Sequence, residues 1–278
     1  MKLKTIATLL TMCAVMMSCS SDIENEPTNE MVTLTFSPYE MESMTRATSS
    51  IADYCTRLDV WITDGTTTQD IHQLSSQNDF GTVSVTLDKT KTYTLTAVAH
   101  KRTEAATLTN NVIAFPDGKL THAMVYTSTF SPGTTTTLSC EMTRIVGMFR
   151  LETTDAVPSG CAKMRFTFSC NDQWNAATAT SSHQQDKEVS ISITSTHDDG
   201  TVALSFYVMP DNLTATKNID IVATALTSSD ATIQQRTFTS VPIKAGYKTT
   251  YRGAFFTDQA LTYTFTANDW STFDTINF

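Results

Sequence analysis

One arginine stands by itself near the start of this chain. Residues 5–45 contain no Lys or Arg, and after Arg46 the next basic residue is Arg57. Arg46 lies in YEMESMTRATSS, a Ser/Thr/Met segment of the polar kind that stays exposed and accessible to proteases. The chemistry this suggests is hydrolysis of the Arg46–Ala47 bond by a protease, done to the chain and not by it. The competing reading is a solvated charge in a linker, and the isolation of Arg46 favours cleavage.

Other reactive side chains show no catalytic pattern. The histidines, at 72, 100, 122, 183 and 197, fall in separate segments, none at metal-ligand spacing from another. There is no GxSxG, no HExxH and no glycine-rich phosphate loop. Asp198 and Asp199 precede a glycine and read as a hairpin turn, because no series of calcium ligands follows. Cys55, Cys140, Cys161 and Cys170 form neither a CxxC nor a Cys/His cluster. Cys140 with a distant His would make a nucleophile pair, but its alternation with Leu138 and Met142 places it in a core. Cys170 shares a strand face with Met164, Phe166 and Phe168, as a buried thiol would. Which of the four thiols, if any, pair in a disulfide stays open. No enzyme, cofactor or metal site is expected. Trp61 and Trp174 offer a different chemistry, stacking on sugar faces from the outside of a β-sandwich, or else packing at a seam.

The elements that position these residues begin after the N-terminus. MKLKTIATLLTMCAVMMSCSSD has a basic start and an apolar run too short to span a bilayer. Ser18 then precedes Cys19, and an acidic stretch follows. This is the layout of a bacterial lipoprotein signal (residues 1–18), cut before Cys19, whose thiol would be acylated; Met16 departs from the usual Leu. Residues 19–31 would be an acidic tether holding the protein to an outer membrane without spanning it. The alternative is an ordinary secretory signal cut elsewhere. The net charge of −9 argues against nucleic acid or anionic lipid as a partner.

Beyond the tether, apolar residues recur at every second position. VTLTF puts Val32, Leu34 and Phe36 on one face; RLDVWIT does so with Leu58, Val60 and Ile62, and TVSVTL with Val83, Val85 and Leu87. Thr, Val, Ile, Phe and Tyr dominate these runs, and Asp-Gly turns separate them. Such strands bury their apolar faces sheet against sheet, so the expected class is all-β, in two sandwiches. Residues 32–141 would form the first domain and 142–278 the second. Residues 103–115, TEAATLTNNVIAF, have room for a helical turn or two.

Several stretches together resemble the fimbrillin-like subunits of the type V pili of Bacteroidetes. EMTRIVGMFRLE is similar to the segment opening their second domain, and YTLTAVAH to one of their strands. PIKAGYKTTYRGAFF with LTYTFTANDWSTFDTINF is similar to their closing hairpin and Trp-containing last strand. VTLTF, TRATSS and RLDVWITD follow their N-terminal order. The resemblance implies tandem transthyretin-like Greek-key sandwiches, export as a surface lipoprotein, and a role in fimbriae and adhesion. It also implies cleavage at Arg46, departure of the first strand, and polymerisation with other pilin subunits by strand exchange. Residues 261–278 are the candidate donor or its support; an ordinary last strand is the alternative. The cysteine-rich opening expected of anchor subunits is absent, which points to a stalk or tip subunit. The competing function is a surface glycan-binding lipoprotein using Trp61 and Trp174.

Overall fold

The computed structural model describes residues 31–41, 48–133, 137–257 and 262–267. Cys19, Arg46, Ala47, Trp270 and residues 271–278 lie outside them. Among the described residues there are strands and two single-turn 3-10 segments, and no α-helix. The fold is all-β.

The alternation seen in the sequence becomes pleat. Strands β1 (Met31–Phe36), β2 (Pro38–Met41) and β3 (Thr48–Ser50) lead into β4 (Arg57–Thr63), β5 (Thr68–Leu74), β6 (Val83–Asp88) and β7 (Tyr93–His100). Then come β8 (Thr107–Thr109), β9 (Val112–Ala114), β10 (Ala123–Phe130), β11 (Cys140–Glu141) and β12 (Thr143–Arg144). A five-stranded sheet in the order β12-β10-β7-β4-β5 faces the β1-β6 pair and the small β11-β2-β3 sheet. Between them lies a core that includes Leu34, Phe36, Leu58, Val60, Val85 and Leu95.

The later part begins with β13 (Gly147–Thr153), β14 (Lys163–Asn175), β15 (Thr180–Ser192) and β16 (Ala203–Val208). It closes with β17 (Lys217–Leu226), β18 (Thr232–Ile243), β19 (Tyr247–Gly253) and β20 (Thr262–Ala267). A sheet ordered β16-β13-β19-β20 packs on one ordered β18-β17-β14-β9-β8, with β15 paired to β14. This core is aromatic. Phe149 lies 5.1 Å from Phe206, 5.7 Å from Tyr251 and 5.8 Å from Phe238, ring centre to ring centre.

Residues 103–115 hold no helical turn. They form the β8–β9 hairpin, because Asn110 and Asn111 both take positive φ, at 50° and 64°. That is the backbone of a two-residue type I′ turn, and asparagine tolerates it. The hairpin pairs through β9 with the far end of β14, Trp174 opposite Ile113, so it joins a sheet of the later part.

A third apolar cluster lies where the two parts meet. Trp61, Val98 and Val125 come from the outer face of the five-stranded sheet, and Met148, Trp174 and Tyr207 from the later strands. The five-stranded sheet is therefore covered on both faces.

Candidate functional site

The first strand lies in a slot. On one side β1 runs antiparallel to β6, from Met31 opposite Asp88 to Phe36 opposite Val83. On the other side Thr35 bridges Thr137 in parallel, and β2 continues that register with Pro38 beside Cys140 and Tyr39 beside Glu141. The N–H of Met142 donates to the Tyr39 carbonyl at 2.7 Å. The N-terminal segment thus completes two backbone ladders at once. Leu34 and Phe36 point into the core, 1% and 3% exposed. The opposite face is a row of hydroxyl pairs, Thr33 with Thr86, Thr35 with Ser84 and Ser37 with Thr82. The sequence VTLTF explains both faces, since apolar and threonine side chains alternate with the pleat.

The far end of the slot is ionic. Glu40 Oε2 accepts from Arg144 Nη2 at 2.6 Å, and both side chains are buried. The Tyr54 ring lies under the guanidinium, 5.6 Å from its centre. Burial pulls the Arg144 pKa down, and the Glu40 charge opposes that pull. A carboxylate inside the slot is what allows a guanidinium to be buried there.

Beyond Glu40, β2 turns back on β3, with Met41 opposite Thr48. Residues 42–47, with Arg46, lie outside the described residues, as does the proposed lipidation site Cys19. Everything N-terminal to the Arg46–Ala47 bond that is described is β1, β2 and the Ser37 that joins them. At the other end of the chain, β20 pairs antiparallel with β19, from Tyr247 opposite Ala267 to Arg252 opposite Thr262. Residues 262–267 thus take the place of a last strand of the later sheet.

The tryptophans require a correction. Trp61 is 6% exposed and Trp174 is 1% exposed, both in the seam cluster. Trp61 does project from the outer face of its strand, as its position between Val60 and Ile62 predicts. That face is covered by the later strands, so neither ring is open to a sugar.

The fold also brings together side chains that the sequence separates. Cys55 Sγ lies 3.9 Å from His122 Nδ1, both buried. Burial pushes the thiol up, and burial followed by the Arg144 charge pushes the imidazole down to about 3. The pair is held neutral, opposite to the thiolate–imidazolium state that nucleophilic catalysis uses. Cys140 lies in the core as its alternation indicates, and burial raises it to about 12. All four described thiols are free.

His72 and His100 also meet, on the buried Asp59. One carboxylate oxygen accepts from Arg57 Nε and His72 Nδ1, each at 2.7 Å; the other accepts from His100 Nε2 at 3.2 Å and Ala106 N–H at 2.8 Å. These four donors occupy the acceptor capacity of the carboxylate, so the cluster is structural. No group able to hold a metal ion occurs among the described residues. No described helix is long and apolar enough to cross a membrane.

The model of a family of unknown function, DUF6562, matches residues 24–271. Comparison with the curated proteins gives no match. Among solved structures, a candidate adhesin from Bacteroides ovatus superposes with a TM-score of 0.52 at 12% identity, over 84% of this chain and 96% of that one. A second candidate adhesin from Bacteroides ovatus gives 0.50 at 8% identity, over 84% of this chain and 88% of that one. At these identities the likeness is one of fold.

Proposed function

We propose that this chain, which belongs to the family of unknown function DUF6562, is a structural subunit of a cell-surface fimbria, exported as a lipoprotein acylated at Cys19. Cleavage between Arg46 and Ala47 frees the first strand, and a strand of a neighbouring subunit takes its place. Residues 32–141 and 142–278 act as two tandem sandwich domains. The partners are other subunits and, before assembly, the outer membrane; the role is adhesion.

The observation that carries this reading is the slot. The segment β1–β2, which pairs with β6 on one side and with residues 137–142 on the other and buries Leu34 and Phe36, ends five residues before the isolated arginine. Fully burying Leu34 and Phe36 supplies roughly 3–6 kcal/mol together. While the strand is part of the chain, that is ample. Once cut, holding it as a separate peptide costs roughly 4–15 kcal/mol of translational and rotational freedom. The balance then allows the strand to leave or be exchanged. The empty slot exposes an apolar groove and unpaired backbone groups, the features that strand addition uses. Head-to-tail joining of this kind builds an open filament. Two solved structures of this fold are candidate adhesins, which supports the surface role. Burial of Trp61 and Trp174 takes away the residues on which a glycan-binding reading rested.

Limited proteolysis of the mature chain with an arginine-specific enzyme tests the proposal. The expected result is loss of one N-terminal piece, a core beginning at Ala47, and growth of oligomers, all blocked by Arg46→Ala. A core that begins at Ala47, keeps its N-terminal piece and stays monomeric would overturn it.

A further inference from the structure

The loop from β15 to β16 folds around a pocket that strand exchange does not use. It turns at His197–Thr201, where the His197 N–H donates to the Thr201 carbonyl at 2.9 Å and Asp199 Oδ1 accepts from the Thr201 N–H at 3.0 Å. The two arms of the loop, with Arg150 of β13, enclose about 190 Å³. Sites for drug-sized ligands run to roughly 300–1,000 Å³, so the occupant here is small.

Two residues of the wall point to a ligand. Arg150 is the one Asp, Glu, Lys or Arg on it. Its Nε donates to Glu152 Oε1 at 2.7 Å, which orients the guanidinium and leaves the Nη nitrogens as donors for a carboxylate. Ser205 stands opposite Arg150 across the β13–β16 ladder and lines the same pocket. It is 2% exposed, and its Oγ has no hydrogen-bond partner. Buried hydroxyls are as a rule paired. The rest of the wall combines the hydroxyl side chains Ser192, Thr194, Ser195 and Thr196 with the aliphatic Ile191 and Leu204, and it has no Trp, Tyr or Phe. One guanidinium matches one negative charge. Hydroxyls, which donate and accept, match a ligand with hydroxyls of its own, and the aliphatic side chains match its C–H surface. No ring is present for a neutral sugar to stack on.

We propose that this pocket binds a sugar acid, a pyranose bearing one carboxylate, with the carboxylate on Arg150 and a ligand oxygen paired with Ser205 Oγ. The site gives a ligand class to the adhesion role proposed above, on which it rests, and does not depend on strand exchange. The mature, uncut chain is titrated by calorimetry with glucuronate, with glucose, and with a disaccharide ending in glucuronate. Glucuronate should bind roughly tenfold or more tightly than glucose, as a hydrogen bond to a charged group allows, and Arg150→Met should remove that preference. Ser205→Ala should weaken glucuronate binding roughly three- to tenfold. The same change should leave thermal unfolding of the ligand-free chain unchanged or shifted upward, because it removes a buried hydroxyl that has no partner. Disaccharide binding as tight as that of the free acid identifies the end of a glycan as the source; binding of the free acid alone identifies a free sugar acid. No binding of glucuronate, equal binding of glucuronate and glucose, or a Ser205→Ala chain that is destabilised with its affinity unchanged overturns the inference. Should Arg150→Met not fold, the comparison of glucuronate with glucose and the Ser205→Ala chain still decide. Failure here leaves the proteolysis test of strand exchange untouched, and failure of that test leaves this site standing.

Discussion

The segment β1–β2 and strand β13 each have an antiparallel neighbour on one side and a parallel one on the other: for the segment, β6 beside β1 and residues 137–142, bridged once by Thr35 and then paired with β2; for β13, β16 and β19. They differ in what fixes them. β13 is held by chain at both ends and buries Phe149 in an aromatic cluster, and Gly147 at its start lies so close to Lys244 that an added Cβ would stand 2.6 Å from that carbonyl. β1 buries two large apolar side chains, β2 after it adds one ion pair, and the stretch between β2 and β4 carries Arg46, the only basic residue between residues 5 and 57. Pairing geometry alone therefore does not decide whether a strand can be replaced. On the proposed reading, packing and tethering decide it.

The largest effect that sharpens this contrast is Phe149→Ala. Truncating a fully buried aromatic should cost about 4 kcal/mol, read by denaturant unfolding of both the intact and the cleaved chain. A loss confined to one of the two forms would break the proposed independence of β13 from β1. Glu40→Ala comes next. Removing one partner of a buried pair should cost about 3 kcal/mol in the intact chain, and nothing in assembled subunits from which Glu40 has departed. An equal loss in both would place Glu40 with the permanent core.

Gly147→Ala should destabilise the chain by about 2 kcal/mol, because Lys244 must move to admit the methyl. Its thermal shift should persist after cleavage. The smallest effect is one of pH. His122 is buried neutral with its pKa brought down to about 3, below the unfolded value near 6.5. Its contribution is fully present above pH 6.5 and is lost as the pH falls, because the unfolded chain takes up the proton first. Between pH 7 and 6 the loss is about 0.7 kcal/mol, and His122→Asn should flatten that slope. Since His122 adjoins Cys55 and Arg144, the slope reports on the first half.

The sequence makes β1 readable. The alternation of Leu34 and Phe36 with threonines specifies which face is buried, and Cys140 follows the same logic. Trp61 shows where that logic stops. Its parity assigns it to the outer face, but whether that face is wet depends on what covers it, and that depends on strands more than 80 residues later, such as β13 at Gly147–Thr153. Glu40 and Arg144 are 104 positions apart, and Cys55 and His122 are 67 apart. Neither pair has a local signature, because a charge or a thiol looks the same on paper whether buried or solvated. The Asn110–Asn111 turn was within reach of sequence, since two residues that tolerate positive φ stood between short apolar runs.

The most direct measurement is amide hydrogen exchange along β6 and β13, before cleavage, just after it in dilute solution, and after assembly. The account predicts that the β6 amides facing β1 are protected in the intact chain, exchange quickly once the Arg46–Ala47 bond is cut, and are protected again in the polymer, while β13 is protected throughout. Protection of β6 that survives cleavage unchanged in dilute solution would contradict it, because the slot would then never have emptied.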